Sequence, residues 1–266
     1  MPALQCDAET RPERMSHDLA STLRLGHNSL VATCHDDVRI GDMVIQNQAI
    51  AAAGSYPGRI QTDGIFGLGR YSTSSGNSKS PLWNIVDQRL IDPYVFALYL
   101  GGPRSNSSEI VFGGTKENHF VGTLQKIPLR SKDFWEVDLD DIRVGSCSML
   151  TQATGVILDS GTPSIALPSM LADTINKAIG RIRCDHRESL PVITFTLAGH
   201  DFSLGPYDYI TMIGSNCTSR FVGLDIHSPD GPHAILGGPF LEKWYSVFDL
   251  RDSSVSLGEA ARSVVR

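Results

Sequence analysis

Apolar residues in this chain arrive in short runs broken by Gly, Pro, Asp and Ser, and only twice at helical spacing. That pattern predicts a mainly β protein with two or three short helices, and 266 residues is too long for one simple sandwich. Val38-Arg-Ile and Met43-Val-Ile-Gln-Asn-Gln-Ala-Ile flank a turn at Gly41-Asp42 and read as paired strands. Further strands are predicted at 94–100, 109–112, 124–129, 135–144, 192–197, 209–213, 221–226, 245–250 and 255–258. Leu82, Val86 and Leu90 lie one helical turn apart behind Pro81 and predict one helix. Leu171, Ile175 and Ile179 predict another, with Ser169 as its cap and Gly180 as its stop. The Ser/Gly-rich stretch 71–80 reads as a loop. Residues 1–30 are polar and irregular and are expected to be poorly ordered.

Composition narrows the function. Hydrophobic residues make up 41 % and charged residues 20 %, a balance that fits a packed core rather than a disordered chain. The net charge is −6 with no Lys/Arg cluster, which argues against a nucleic-acid partner. No apolar run approaches the ~18 residues of a membrane helix, so no membrane span is expected. The chain opens without an apolar core that would mark a signal peptide. Five cysteines include no C-x-x-C pair, and eight histidines lack ligand spacing, so neither a metal site nor a cofactor is expected. Asn106-Ser-Ser and Asn216-Cys-Thr fit the N-glycosylation pattern. His119, His186 and His227 read as surface residues, and Trp135, Tyr94 and Phe248 as core.

The stretch Gly155-Val-Ile-Leu-Asp-Ser-Gly-Thr162 carries the chemistry. An apolar strand delivers one carboxylate, Asp159, to a tight turn, where Gly161 lets the backbone N–H reach it. In isolation this tetrapeptide is only a turn. Ile65-Phe66-Gly67 and Ile235-Leu236-Gly237 repeat one apolar-Gly pattern in the two halves. They read either as two similar lobes or as ordinary strand-end glycines.

The flanks of Asp159 decide between these readings. Val156-Ile-Leu-Asp-Ser-Gly-Thr-Pro-Ser-Ile-Ala-Leu-Pro168, then Cys184 and Cys217, then Ala234-Ile-Leu-Gly-Gly-Pro-Phe-Leu, follow one another in order. Thr62-Asp-Gly-Ile-Phe-Gly-Leu-Gly and Ile110-Val-Phe-Gly-Gly precede them. Over residues 30–260 the chain resembles the pepsin-like, two-lobed aspartic peptidases. The resemblance implies a bilobal acid protease fold, with a partial N-terminal lobe at 31–127 and a C-terminal lobe at 128–266. It implies Asp159 as the catalytic carboxylate of the second lobe, supported by Ser160, Gly161 and Thr162. Cys184 and Cys217 match that lobe's disulfide, and Cys147 is left without a partner. A peptide or protein substrate, a monomer, and a secreted or vacuolar/lysosomal location complete what it implies.

Departures from the family are equally specific. Two lobes normally give one aspartate each, and like charges so close share a proton, so one serves as acid and the other as base. Asp-Ser-Gly occurs once in the 266 residues and Asp-Thr-Gly never. Asp63 sits at a structural turn of the family pattern. The stretch matching the flap, Thr22-Leu-Arg-Leu-Gly-His-Asn-Ser-Leu, has no Tyr, and Gly26 is its only hairpin remnant. Pro163 stands where the family has Ser or Thr. A truncated first lobe and an inactive chain are therefore expected. The alternatives are a non-catalytic binding or inhibitor module, and a homodimer that supplies Asp159 twice.

Overall fold

Residues 24–25, 28–53, 64–70, 79–102, 107–150, 152–225 and 234–261 are described by the computed structural model of the chain. Two units divide it, residues 1–91 and residues 92–266.

In the first unit, β1 (Arg24–Leu25), β2 (Asn28–Ile40) and β3 (Met43–Ala53) form an antiparallel sheet in that order. The hairpin predicted at Gly41-Asp42 is present, with Ile40 opposite Met43 and Gly41 at φ +57°. That dihedral is why glycine stands there. The register shifts between Asp36 and Val38, and Asn47 takes φ 53° with its amide donating to Asp37 Oδ1 at 2.9 Å. Helix α1 (Pro81–Asp87) begins where Pro81 and the Ser80 cap predict, and buries Leu82 and Ile85. It ends before Leu90, because Arg89 adopts φ 54°. Gln48 of β3 is buried and satisfied at both ends, accepting from Asn84 Nδ2 at 2.8 Å and donating to the Lys79 carbonyl at 3.1 Å. Residues 64–70 form no strand, and Ile65 is 85 % exposed. Asp63, Gly26, residues 71–78 of the loop predicted at 71–80 and most of residues 1–30 lie outside the described residues.

The second unit contains β4 (Val95–Tyr99), β5 (Glu109–Phe112), β6 (Phe120–Pro128), β7 (Glu136–Val144), β8 (Cys147–Ser148), β9 (Thr154–Leu158) and β10 (Ile165–Leu167). It continues with α2 (Ser169–Ile179), β11 (Ile193–Leu197), β12 (His200–Leu204), α3 (Pro206–Tyr209), β13 (Ile210–Ile213), β14 (Asn216–Ser219) and β15 (Phe221–Gly223). It closes with β16 (Ala234–Leu236), α4 (Gly238–Lys243), β17 (Trp244–Asp249) and β18 (Ser254–Ala260). One sheet runs β5-β4-β17-β18-β6 and another β12-β11-β7-β9-β16-β10-β15, with β8 paired to β7. The protein is mainly β, as its run lengths predict.

Aromatic side chains fill the core of the second unit. Phe96 of β4 stacks on Phe248 of β17 at 4.7 Å, and Trp135 meets both edge-on at 5.6 and 5.0 Å. Trp135 and Phe248 are buried as expected, whereas Tyr94 is half-buried beneath the Arg251 guanidinium. Tyr209 is fully buried, and its hydroxyl donates to the Pro191 carbonyl at 2.6 Å. Burial pushes that phenol up to about 12, so it stays a donor.

Several local expectations give way to tertiary partners. Ser169 is the first residue of α2 rather than its cap. Its amide and hydroxyl both donate to the Asp225 carboxylate, at 2.9 and 2.8 Å, so a distant carboxylate does the capping. Gly180 ends the helix at φ +78°, as predicted. Tyr209, placed in a strand by its apolar run, is instead the last residue of α3. His119 is not a surface residue. Its side chain is 13 % exposed, stacks on Tyr99 at 4.4 Å and lies 3.2 Å from Glu109 Oε2. His186 is exposed, and His227 lies outside the described residues.

A disulfide joins Cys184 to Cys217 of β14 with Cα atoms 5.4 Å apart, and Cys147 is free and exposed. The bridge spans 33 residues of sequence, and closing a loop of that size restricts the unfolded chain. Replacing both cysteines with Ser is expected to lower unfolding free energy by about 2–4 kcal/mol, measured by urea denaturation.

Candidate active site

Three short strands build the Asp159 turn. β9 and β10 flank the turn but do not pair with each other. β16 lies between them, parallel to β9 with Leu236 opposite Leu158, and antiparallel to β10 with Ile235 opposite Ala166. The Asp159 amide donates to the Leu236 carbonyl at 3.1 Å and so extends the β9–β16 ladder by one residue. The turn must then cross over the end of β16 to reach β10.

That crossing sets the residue types. Gly237, directly after β16, passes under the turn so closely that a Cβ there would lie 2.1 Å from the Thr162 carbonyl oxygen and 2.4 Å from that of Ser164. The Gly238 amide donates to the Thr162 carbonyl at 2.8 Å. The recurring apolar-Gly pattern therefore has a definite task in this half. Its apolar pair forms the central strand, and its glycine admits the turn above. In the first half, Ile65-Phe66-Gly67 forms no strand among the described residues.

Within the turn, Asp159 is half-buried. One carboxylate oxygen accepts the Gly161 amide at 2.9 Å and the other accepts the Thr162 hydroxyl at 2.5 Å. Both oxygens are thereby oriented by groups two and three residues away. Ser160, Gly161 and Pro163 are exposed. Replacing Thr162 with Val removes the hydroxyl and is expected to cost about 1–2 kcal/mol, because the lost bond leaves a half-buried carboxyl oxygen without its partner. Thr162→Ser, which keeps the hydroxyl, is expected to cost less in the same denaturation experiment.

A carboxylate held in this way can exchange a proton with a bound water, but acid–base work on a peptide carbonyl calls for a second titrating partner. No group of three or more His, Cys, Asp or Glu side chains able to hold a metal occurs among the described residues. No helix there is long and apolar enough to cross a membrane. Asn106, the predicted glycosylation position, lies outside the described residues. Asn216 begins β14 and is exposed.

Sequence reasoning missed two residues beneath the turn. Arg220 donates from Nε and Nη2 to the Pro163 carbonyl at 3.2 and 2.7 Å, and from Nη1 to both Glu242 oxygens at 3.2 Å. Neither belongs to a motif, and only the fold brings them together.

A family model described as "Eukaryotic aspartyl protease" matches residues 21–260. The chain is 47 % identical to "Vacuolar protease A" of Aspergillus fumigatus, over 85 % of this chain and 60 % of the relative. It is 35 % identical to "Vacuolar aspartic protease" of Candida albicans, over 92 % of this chain and 64 % of the relative. It is 34 % identical to "Cathepsin D" of Bos taurus, over 84 % of this chain and 62 % of the relative. The chain thus spans less than two thirds of the length of these curated relatives.

Proposed function

Because the chain belongs to the eukaryotic aspartyl protease family, we propose that it contributes one catalytic carboxylate, Asp159, to an acid endopeptidase site that cleaves extended peptides. The observation that carries this reading is the anchoring of both Asp159 oxygens, by the Gly161 amide and the Thr162 hydroxyl. Such anchoring fixes the direction in which the carboxyl meets a water, and pre-set geometry is what general acid–base catalysis needs. In this reading residues 128–266 form the lobe that carries Asp159, and residues 31–127 belong to the other lobe. Ser160, exposed on the turn, is taken from the family pattern as a supporting residue of the Asp159 loop. Pro163 has neither hydroxyl nor N–H, so one substrate hydrogen bond usual in the family is missing.

The reaction needs two carboxyls that share a proton, one drawing a proton from water while the other protonates the carbonyl oxygen. The 266 residues hold one Asp-Ser/Thr-Gly segment. On their own they are proposed to hydrolyse no peptide. The same single motif favours the second reading, a binding module that keeps the fold without the chemistry. A peptide or protein substrate and a vacuolar setting go with the first reading, supported by the names of two relatives, "Vacuolar protease A" and "Vacuolar aspartic protease"; a secreted or lysosomal setting and a monomeric chain are the remaining parts of the proposal.

An assay of the 266-residue chain on a peptide library at acid pH tests the reading. The expected result is no turnover above that of Asp159→Ala. Turnover blocked by an aspartic-protease inhibitor and lost in Asp159→Ala would show that this chain is already complete for catalysis.

A further inference from the structure

One guanidinium ties together three segments that are far apart in sequence. Arg220 follows β14, Pro163 belongs to the Asp159 turn, and Glu242 belongs to α4. The side chains of Arg220 and Glu242 are only 15 % and 17 % exposed, so their pairing is poorly screened by water. All three guanidinium nitrogens donate. Two donors converge on the Pro163 carbonyl, and the third nitrogen serves the Glu242 carboxylate. An ammonium group, which is a point charge, cannot cover both partners in that plane. A Cβ at Gly238 would lie 2.9 Å from Arg220 Nη2, so the bare backbone there gives the guanidinium its room. The backbone of Arg220 is pinned as well, with its amide on the Tyr209 carbonyl and its carbonyl accepting the Ile165 amide, each at 2.9 Å.

Two successive carbonyls of the turn are therefore held from outside it. Thr162 is held by the Gly238 amide, and Pro163 by Arg220. Their peptide planes set where the Thr162 hydroxyl points, and that hydroxyl orients Asp159 Oδ2. We propose that Arg220 is a positioning residue for Asp159, with Glu242 aiming its guanidinium, so that α4 and the β14–β15 connection together fix the carboxylate's direction. Its importance for hydrolysis rests on the catalytic reading of Asp159, whereas the clamp itself does not.

Truncating either partner alone leaves the other charge buried and unpaired, which destabilises the whole unit. The test therefore uses the double variant Arg220→Met/Glu242→Leu, which keeps volume and removes both charges. Amide hydrogen exchange is read by NMR at Gly161 and Gly238, with Phe195 of β11 as the reference for global opening. The clamp predicts exchange faster by about tenfold or more at Gly161 and Gly238, with little change at Phe195. Wild-type exchange at both turn amides, or acceleration only in step with Phe195, overturns it. If the double variant fails to fold, Arg220→Lys gives the same comparison, since one ammonium cannot hold both partners. Rescue of turn protection by Arg220→Lys would also overturn the fork geometry. Because exchange is read without substrate, a clamp that loosens as expected stands even if Asp159→Ala proves neutral for hydrolysis in a chain supplied with a second catalytic aspartate.

Discussion

Gly237→Ala is expected to unfold the Asp159 turn or the strands around it, at a cost of about 3 kcal/mol or more. The methyl group would sit 2.1 and 2.4 Å from two backbone carbonyl oxygens. Neither is the tip of a side chain that can swing away. Thr162 and Ser164 could retreat only by lifting the turn off β16. That motion breaks the bond from the Gly238 amide to the Thr162 carbonyl and disturbs the Thr162 hydroxyl bond to Asp159. Urea denaturation should show a lower midpoint, and NMR should show the shifts concentrated in residues 159–164. Gly161→Ala makes a useful contrast. Its Cβ would come no closer than 3.2 Å to an Asp159 oxygen, so only that carboxylate must give way and the cost should be smaller.

Phe240→Ala is expected to lose about 3–5 kcal/mol, the range for emptying a buried aromatic site. Phe240 is fully buried on α4. Its ring meets Phe195 edge-on at 5.8 Å and Phe202 at 6.1 Å, and lies 6.5 Å from Trp244. Three elements, β11, β12 and β17, would therefore face one cavity. The effect differs in kind from that of Gly237→Ala. Phe240 supports the unit as a whole, so every part of it should lose stability together in a thermal or urea transition. Because α4 also carries Glu242, the loss should extend to the Asp159 turn. Phe240→Leu, which refills most of the volume, should recover much of the stability.

Local rules made part of this architecture legible. An apolar strand running into Asp-Ser-Gly-Thr predicts a carboxylate on a tight turn, and the Gly161 amide does reach Asp159. Hairpin chemistry places the β2–β3 turn at Gly41-Asp42, and the spacing of Leu171, Ile175 and Ile179 places α2. Helices α3 and α4 escaped because four and six residues are too few to display a 3.6-residue period. Proline in the first turn was their only local signal. Strand order escaped for another reason. β16 enters between β9 and β10 from far along the chain, and nothing local to Ala234–Leu236 states its neighbours. The same holds for Arg220 and Glu242, two isolated charges until the fold joins them, and for Ser169, whose capping role passes to Asp225. Close approach is what links these cases. Gly237 is conspicuous in the sequence only as part of a repeated pattern, and its necessity becomes physical once Thr162 and Ser164 lie above it.

Supplying a second Asp-Ser/Thr-Gly segment tests whether Asp159 is one half of a two-carboxylate site. A segment of a relative that carries its own Asp-Ser/Thr-Gly can be fused ahead of residue 21, where the family match begins, with and without Asp159→Ala. Inhibitor-sensitive peptide hydrolysis at acid pH is expected in the fusion, absent from the 266-residue chain and abolished by Asp159→Ala. A folded fusion that hydrolyses peptide equally well with Asp159→Ala would contradict it.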